Sequence, residues 1–230
     1  MKSNIGVLST VTLLVTVIAC GPSDAAKRRA DSAVAAAAKA HVVSQAGEVL
    51  GARREAQTFF DSARASFLLK RRAAASKSLR DAAAFTREQA DRATGLDKDA
   101  LANSAKELDR LATGVANHSV KSVKTLDYAF ARTQVAEAQY HYTGMLAAWN
   151  KRDGGVAGAE LTMAIDHLDR GVSDAGLRLA PEAQATLVEV RSLAAEMTKG
   201  SVLVAADVEK TLTTFDAELQ RITTLVAKKR

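Results

Sequence analysis

Apolar side chains recur through the middle of the chain at alternating steps of three and four: Tyr128, Ala131, Val135, Ala138, Tyr142, Met145 and Trp149. That spacing predicts one long helix with a narrow buried seam. Ala56, Phe60, Ala63 and Phe67 carry the same phase earlier in the chain. Asp153-Gly154-Gly155 then predicts a stop, because glycine just past a helix end accepts the left-handed conformation. A second helix follows with Leu161, Ala164, Ile165, Leu168 and Val172 on one face; its earlier counterpart offers Leu79, Ala82, Ala83 and Ala90. Third helices are expected from Asp97, a residue suited to an N-cap, and from Pro181, which suits a first helical turn. They carry Leu101, Ala105, Leu108, Ala112 and Val115 in one case and Leu187, Val190, Ala194 and Met197 in the other. Ser119 and Ser201 are read as caps of the helices that follow, the last of which holds Val208, Leu212, Phe215, Leu219, Ile222 and Val226.

These correspondences share one offset. Sliding the chain by 82 residues, without a gap, places Glu55-Ala56-Gln57 on Glu137-Ala138-Gln139, Phe60 and Phe67 on Tyr142 and Trp149, and Leu79 and Ala82 on Leu161 and Ala164. It continues through Glu107, Leu111 and Ser119 onto Glu189, Leu193 and Ser201. The expected fold is therefore all-α: an antiparallel helical bundle of about seven helices built from an internally duplicated three-helix unit. The helices form either one bundle or two small bundles that share the central helix. Residues 41–118 and 119–200 are read as the two repeat units, and 201–230 as a closing helix with a basic end.

Composition agrees with this reading. Aromatic residues are only 4% of the chain and the only prolines are Pro22 and Pro181, so small side chains that let helices approach closely dominate. The formal charge of +6 would raise nucleic acid as a partner for a cytosolic protein. The amino terminus argues otherwise. Met1-Lys2 followed by the uncharged run Ile5 to Ile18 predicts an export signal, too short to span a bilayer at about 20 residues per span. Anionic headgroups or wall polymers then replace nucleic acid as the expected counterpart of Lys70-Arg71-Arg72 and Lys228-Lys229-Arg230, runs that otherwise read as solvated helix ends.

Val17-Ile18-Ala19-Cys20 resembles the lipobox of bacterial lipoproteins, and Cys20 is the only cysteine. The resemblance implies cleavage between Ala19 and Cys20, lipidation of Cys20 and a membrane partner reached through that anchor. Residues 1–19 would be the signal peptide and 20–40 a lipidated cysteine with an Ala-rich tether. Gly21, where an Asp would favour the inner membrane, points to the periplasmic face of an outer membrane. Lys151, Arg152, Asp153, Ala157, Glu160, Leu161 and Ala164 resemble the helical hairpin of YfdX-type periplasmic proteins, as do Ala63-Arg64, Leu79 and Ala82. That likeness implies a helical, stress-associated protein and no catalytic residues. Covalently wall-attached lipoproteins of the Braun type end in Lys, whereas this chain ends in Arg230, which leaves electrostatic association with an anionic polymer.

The expected activity is non-enzymatic, with no catalytic residue, cofactor or metal: the sequence holds no Gly-x-Ser-x-Gly elbow, no His-Glu-x-x-His helix and no Gly-rich phosphate loop. The expected role is a binding or scaffold module for another envelope protein or an anionic polymer. Tyr140, His141 and His167 are the candidate contacts for the alternative, a small molecule or metal held between helices. Tyr140 and His141 fall off the seam, and His167 beside Asp166 and near Asp169 reads either as part of a metal site or as a solvated face.

Overall fold

A computed structural model describes residues 57–229. The stretches read above as export signal, lipobox and tether lie outside the described residues, as do Arg230 and residues 41–56 of the expected first repeat unit. The described chain is helical, with the helices packed as a bundle: α1 (57–68), α2 (Arg72–Arg92), α3 (Gly95–Ala116), α4 (Val123–Asn150), α5 (Gly154–Asp174), α6 (Pro181–Lys199) and α7 (Ala205–Ala227). Among these residues no helix is long and apolar enough to cross a membrane.

The 82-residue spacing of the sequence recurs in the backbone. Helices α2 and α5 start at Arg72 and Gly154, and α4 and α7 at Val123 and Ala205, each pair 82 apart. The turns repeat too. Lys70 and Arg152 hold φ of 59° and 61°, and His118 and Gly200 hold 63° and 73°. In each case the left-handed residue lets the next amide return to the last turn: Arg71 N–H to Ser66 O and Asp153 N–H to Ala148 O, Ser119 N–H to Gly114 O and Ser201 N–H to Glu196 O. Surface pairs follow the same spacing with their signs exchanged: Arg87 of α2 meets Asp109 of α3, whereas Asp169 of α5 meets Arg191 of α6.

Close helix contact is handled differently in the two halves. Where α2 crosses α3, Ser76 Oγ donates to Ala112 O at 2.9 Å. The corresponding crossing of α5 and α6 has Gly158, where a Cβ would stand 2.6 Å from Ala194 O. Glycine is required there because no side chain fits between the backbones.

Among the described residues α4 serves two large apolar cores, and a small third cluster of Ala90, Ala93 and Leu101 packs against its Ala136 and Tyr140. Leu126, Ala129 and Phe130 join the core built by Phe60, Ala63 and Phe67 of α1 with α2 and α3, and Phe60 stacks on Phe130 at 4.6 Å. Farther along, Ala131, Val135, Ala138, Tyr142 and Met145 join α5, α6 and α7. Tyr142 packs edge-on to Phe215 and donates its hydroxyl to Leu212 O, and burial pushes the phenol up to about 12.

Local expectations need correction. Asp153-Gly154-Gly155 does not end α4. The helix stops at Asn150, Arg152 takes the left-handed turn, and Asp153 caps α5 by accepting from Val156 N–H. Ser119 and Ser201 are not N-caps: their hydroxyls donate backward, to Gly114 O and to Glu196, while Ser122 caps α4 and α7 follows Val204 with no side-chain cap. Asp97 lies inside the first turn of α3, which begins after Thr94. Trp149, assigned to the seam, is only half-buried, because it sits in the last turn of α4 where the bundle opens.

Candidate functional site

The central helix buries a second stripe, and that stripe is polar. Gln134, Glu137 and His141 stand at steps of three and four, which brings them to one face of α4. Glu160 and His167 stand seven residues apart on α5, the helix that packs antiparallel along α4. The five side chains meet between the two helices. Gln134 and Glu137 are fully buried, His167 is 1% exposed and His141 6%.

The imidazoles are the centre of this cluster. Their rings stack at 5.2 Å with only 9° between the planes, and the Tyr140 ring meets His141 edge-on at 5.2 Å. His141 Nδ1 lies 2.7 Å from Glu160 Oε2. His167 Nδ1 lies 2.6 Å from Gln134 Oε1 and 2.9 Å from Glu137 Oε2. Gln134 in turn donates through Nε2 to Gln57 Oε1 of α1, so the first helix reaches this site. One N–H cannot point at two oxygens, and Gln134 has the aligned bond; the Glu137 oxygens remain buried without one. Both imidazole Nε2 atoms are also buried without a hydrogen-bond partner. With Nδ1 facing an acceptor in each ring, the neutral tautomer carries its proton there and leaves Nε2 as an acceptor. Burial holds His167 below its ordinary 6.5, against the nearby Glu137 charge, which pulls it upward.

The sequence candidates Tyr140, His141 and His167 thus come together. His167 does so on a different side from the one expected: it faces Gln134 and Glu137, while Asp169 is turned to Arg191. It is not on a solvated face. Gln134, Glu137 and Glu160 were missed as members, although polar residues at seven-residue spacing on two adjacent helices were a readable signal. Among the described residues, no group of three or more His, Cys, Asp or Glu side chains is placed to hold a metal ion.

Two further features lie apart from this cluster. Arg64 of α1 ties the halves together by donating to Asp127 at 2.8 Å and to Asp174 of α5 at 2.6 Å; burial still pushes Asp174 up to about 6. At the end of α4, a cleft of about 480 Å³ is lined by Trp149, Arg152, Met197 and Leu203 among others. No protein-family model matches the chain, and no characterised protein or solved structure resembles it at a significant level.

Proposed function

We propose that this chain is a lipid-tethered, non-enzymatic binding or scaffold module of the bacterial cell envelope, modified on Cys20 and held at the periplasmic face of an outer membrane. The observation that carries the reading is Val17-Ile18-Ala19-Cys20, which ends an uncharged leader and contains the chain's sole cysteine. Acyl chains on that sulfur would anchor the molecule, since each buried methylene adds about 0.8 kcal/mol and two or more chains hold stably. The helical body is compatible with a module that presents surfaces to a partner protein or an anionic polymer. The likeness of Lys151 to Ala164 to YfdX-type hairpins supports a periplasmic setting.

Cys20→Ser is the direct test. Metabolic labelling with a fatty acid should vanish, and the protein should leave the membrane fraction or persist as an unprocessed precursor. Normal labelling of the variant refutes the anchor.

A second reading, a small molecule or metal ion held between helices, is favoured by one observation: two imidazole nitrogens are buried side by side with nothing to accept from. What satisfies them is a hydrogen-bond donor or a cation. Calorimetric titration with Zn²⁺ or Cu²⁺ checks the metal version. Heat that disappears in His141→Phe/His167→Phe supports it, and the absence of heat from the unaltered protein removes the metal.

A further inference from the structure

The turn between α1 and α2 carries residues that the fold does not require. Leu68 and Leu69 are each 62% exposed. They precede Lys70, which takes the left-handed position, and Arg71. The turn 82 residues later has the same backbone but Asn150 and Lys151 in place of the two leucines. Closing the turn therefore needs no apolar residue at either position, and both leucines face solvent at a cost that a polar pair avoids.

The surroundings of this tip have one sign. Ser76 of α2 bonds to Ala112 of α3, and Phe67, Val120 and Val123 share a core, so the α3–α4 turn lies at the same end of the bundle. Neither 66–78 nor 113–126 contains an Asp or Glu. Besides Arg72, and Lys77, which pairs with Asp81 along α2, the two segments contribute Lys70, Arg71, Lys121 and Lys124, all exposed and in no ion pair among the described residues. Arg72 lies with its guanidinium 4.0 Å over the Phe67 ring at the base of the tip. An exposed apolar pair set in a field of cations matches a surface with negative headgroups above hydrocarbon, where leucines insert and lysines and arginines stay at the phosphates.

We propose that the α1–α2 tip is a docking site for an anionic phospholipid surface, with Leu68 and Leu69 as the inserting residues and Lys70, Arg71, Lys121 and Lys124 as the headgroup contacts. This deepens the membrane-tethered reading, and its test separates the two. Leu69→Cys protein is labelled with an environment-sensitive thiol probe and reconstituted into vesicles of phosphatidylcholine alone or of phosphatidylcholine with phosphatidylglycerol, each doped with a brominated lipid. In lipid-modified protein Cys20 is blocked, so a second label at Cys20 marks failure of the anchor and not of the tip. The expected result is a blue shift with bromine quenching only when phosphatidylglycerol is present, reversed by high salt. Lys70→Gln and Arg71→Gln should each weaken the docking about five-fold. Leu68→Ser should reduce quenching while circular dichroism stays unchanged. Quenching equal in both lipids, quenching unaffected by the charge changes, or a blue shift without quenching, which would mean that protein covers the leucines, overturns the proposal.

Discussion

The hairpin of α1 and α2 and the hairpin of α4 and α5 repeat the same backbone course yet spend their side chains differently. Phe59 and Phe85 of the first stand where His141 and His167 stand in the second, 82 residues on in both cases. In the first hairpin this aromatic pair borders a shallow pocket with Asp81, Glu88 and Arg92; in the second the pair is sealed among Gln134, Glu137 and Glu160. The tip residues exchange in the opposite sense, apolar in the first hairpin and polar in the second. Helix geometry accepts either chemistry at these positions. What differs is which surface meets another helix and which is left to meet something outside the chain.

The largest expected effects test whether equivalent positions bear equal load. Phe60→Ala and Phe67→Ala should each cost about 3 to 5 kcal/mol in denaturant unfolding, since both side chains are buried and leave cavities. Trp149→Ala, the counterpart of Phe67→Ala, should cost only about 1 to 2 kcal/mol because its ring is half-buried. Equal losses at 67 and 149 would mean that the two hairpin ends are packed alike.

The helix crossings give the next contrast. Gly158→Ala forces a methyl against the Ala194 carbonyl and should destabilise by about 1 to 3 kcal/mol. Ser76→Ala at the corresponding crossing removes one hydrogen bond and should cost about 1 kcal/mol. A harmless Gly158→Ala would show that α5 and α6 are free to slide apart.

Acid should separate the halves by chemistry. Burial lowers His167 below 6.5, so the unfolded chain takes up its proton first. The stability this residue gives is complete above about 6.5 and is lost progressively as the pH falls from there toward the lower value the buried ring holds. Asp174, raised to about 6, works in the opposite sense over part of this range, so the test is the difference between variants: acid should lower the unfolding midpoint more in the unaltered protein than in one without the two imidazoles. His141→Phe/His167→Phe, which installs the side chains of the first hairpin, should flatten the dependence. An unchanged slope would place the acid sensitivity elsewhere.

The apolar seams were legible because apolar spacing sets helical phase: Phe60, Leu79, Leu161 and Leu168 are buried, as their positions imply. The second face of α4 was not. His141 was singled out as a contact, but nothing in the local pattern marks Gln134 and Glu137 as buried; the approach of α5 and of Gln57 from α1 buries them. Local pattern cannot report a burial created by partners far along the chain. Ser119 and Ser201 misled for a related reason. A serine before an apolar run reads as a cap, yet here it follows a left-handed residue and completes the turn behind it.

The sign-exchanged pairs Arg87–Asp109 and Asp169–Arg191 have a consequence for how the chain finds its fold. The two halves offer similar helices to one another, and tandem repeats are prone to pairing with the wrong copy. A hairpin that joined α2 to α6 in the native register would set Arg87 against Arg191, and one that joined α5 to α3 would set Asp169 against Asp109. Each native pair is well exposed and contributes little once the protein is folded. In the swapped pairings the same positions would repel where the native ones attract, a small bias of the kind that separates like partners.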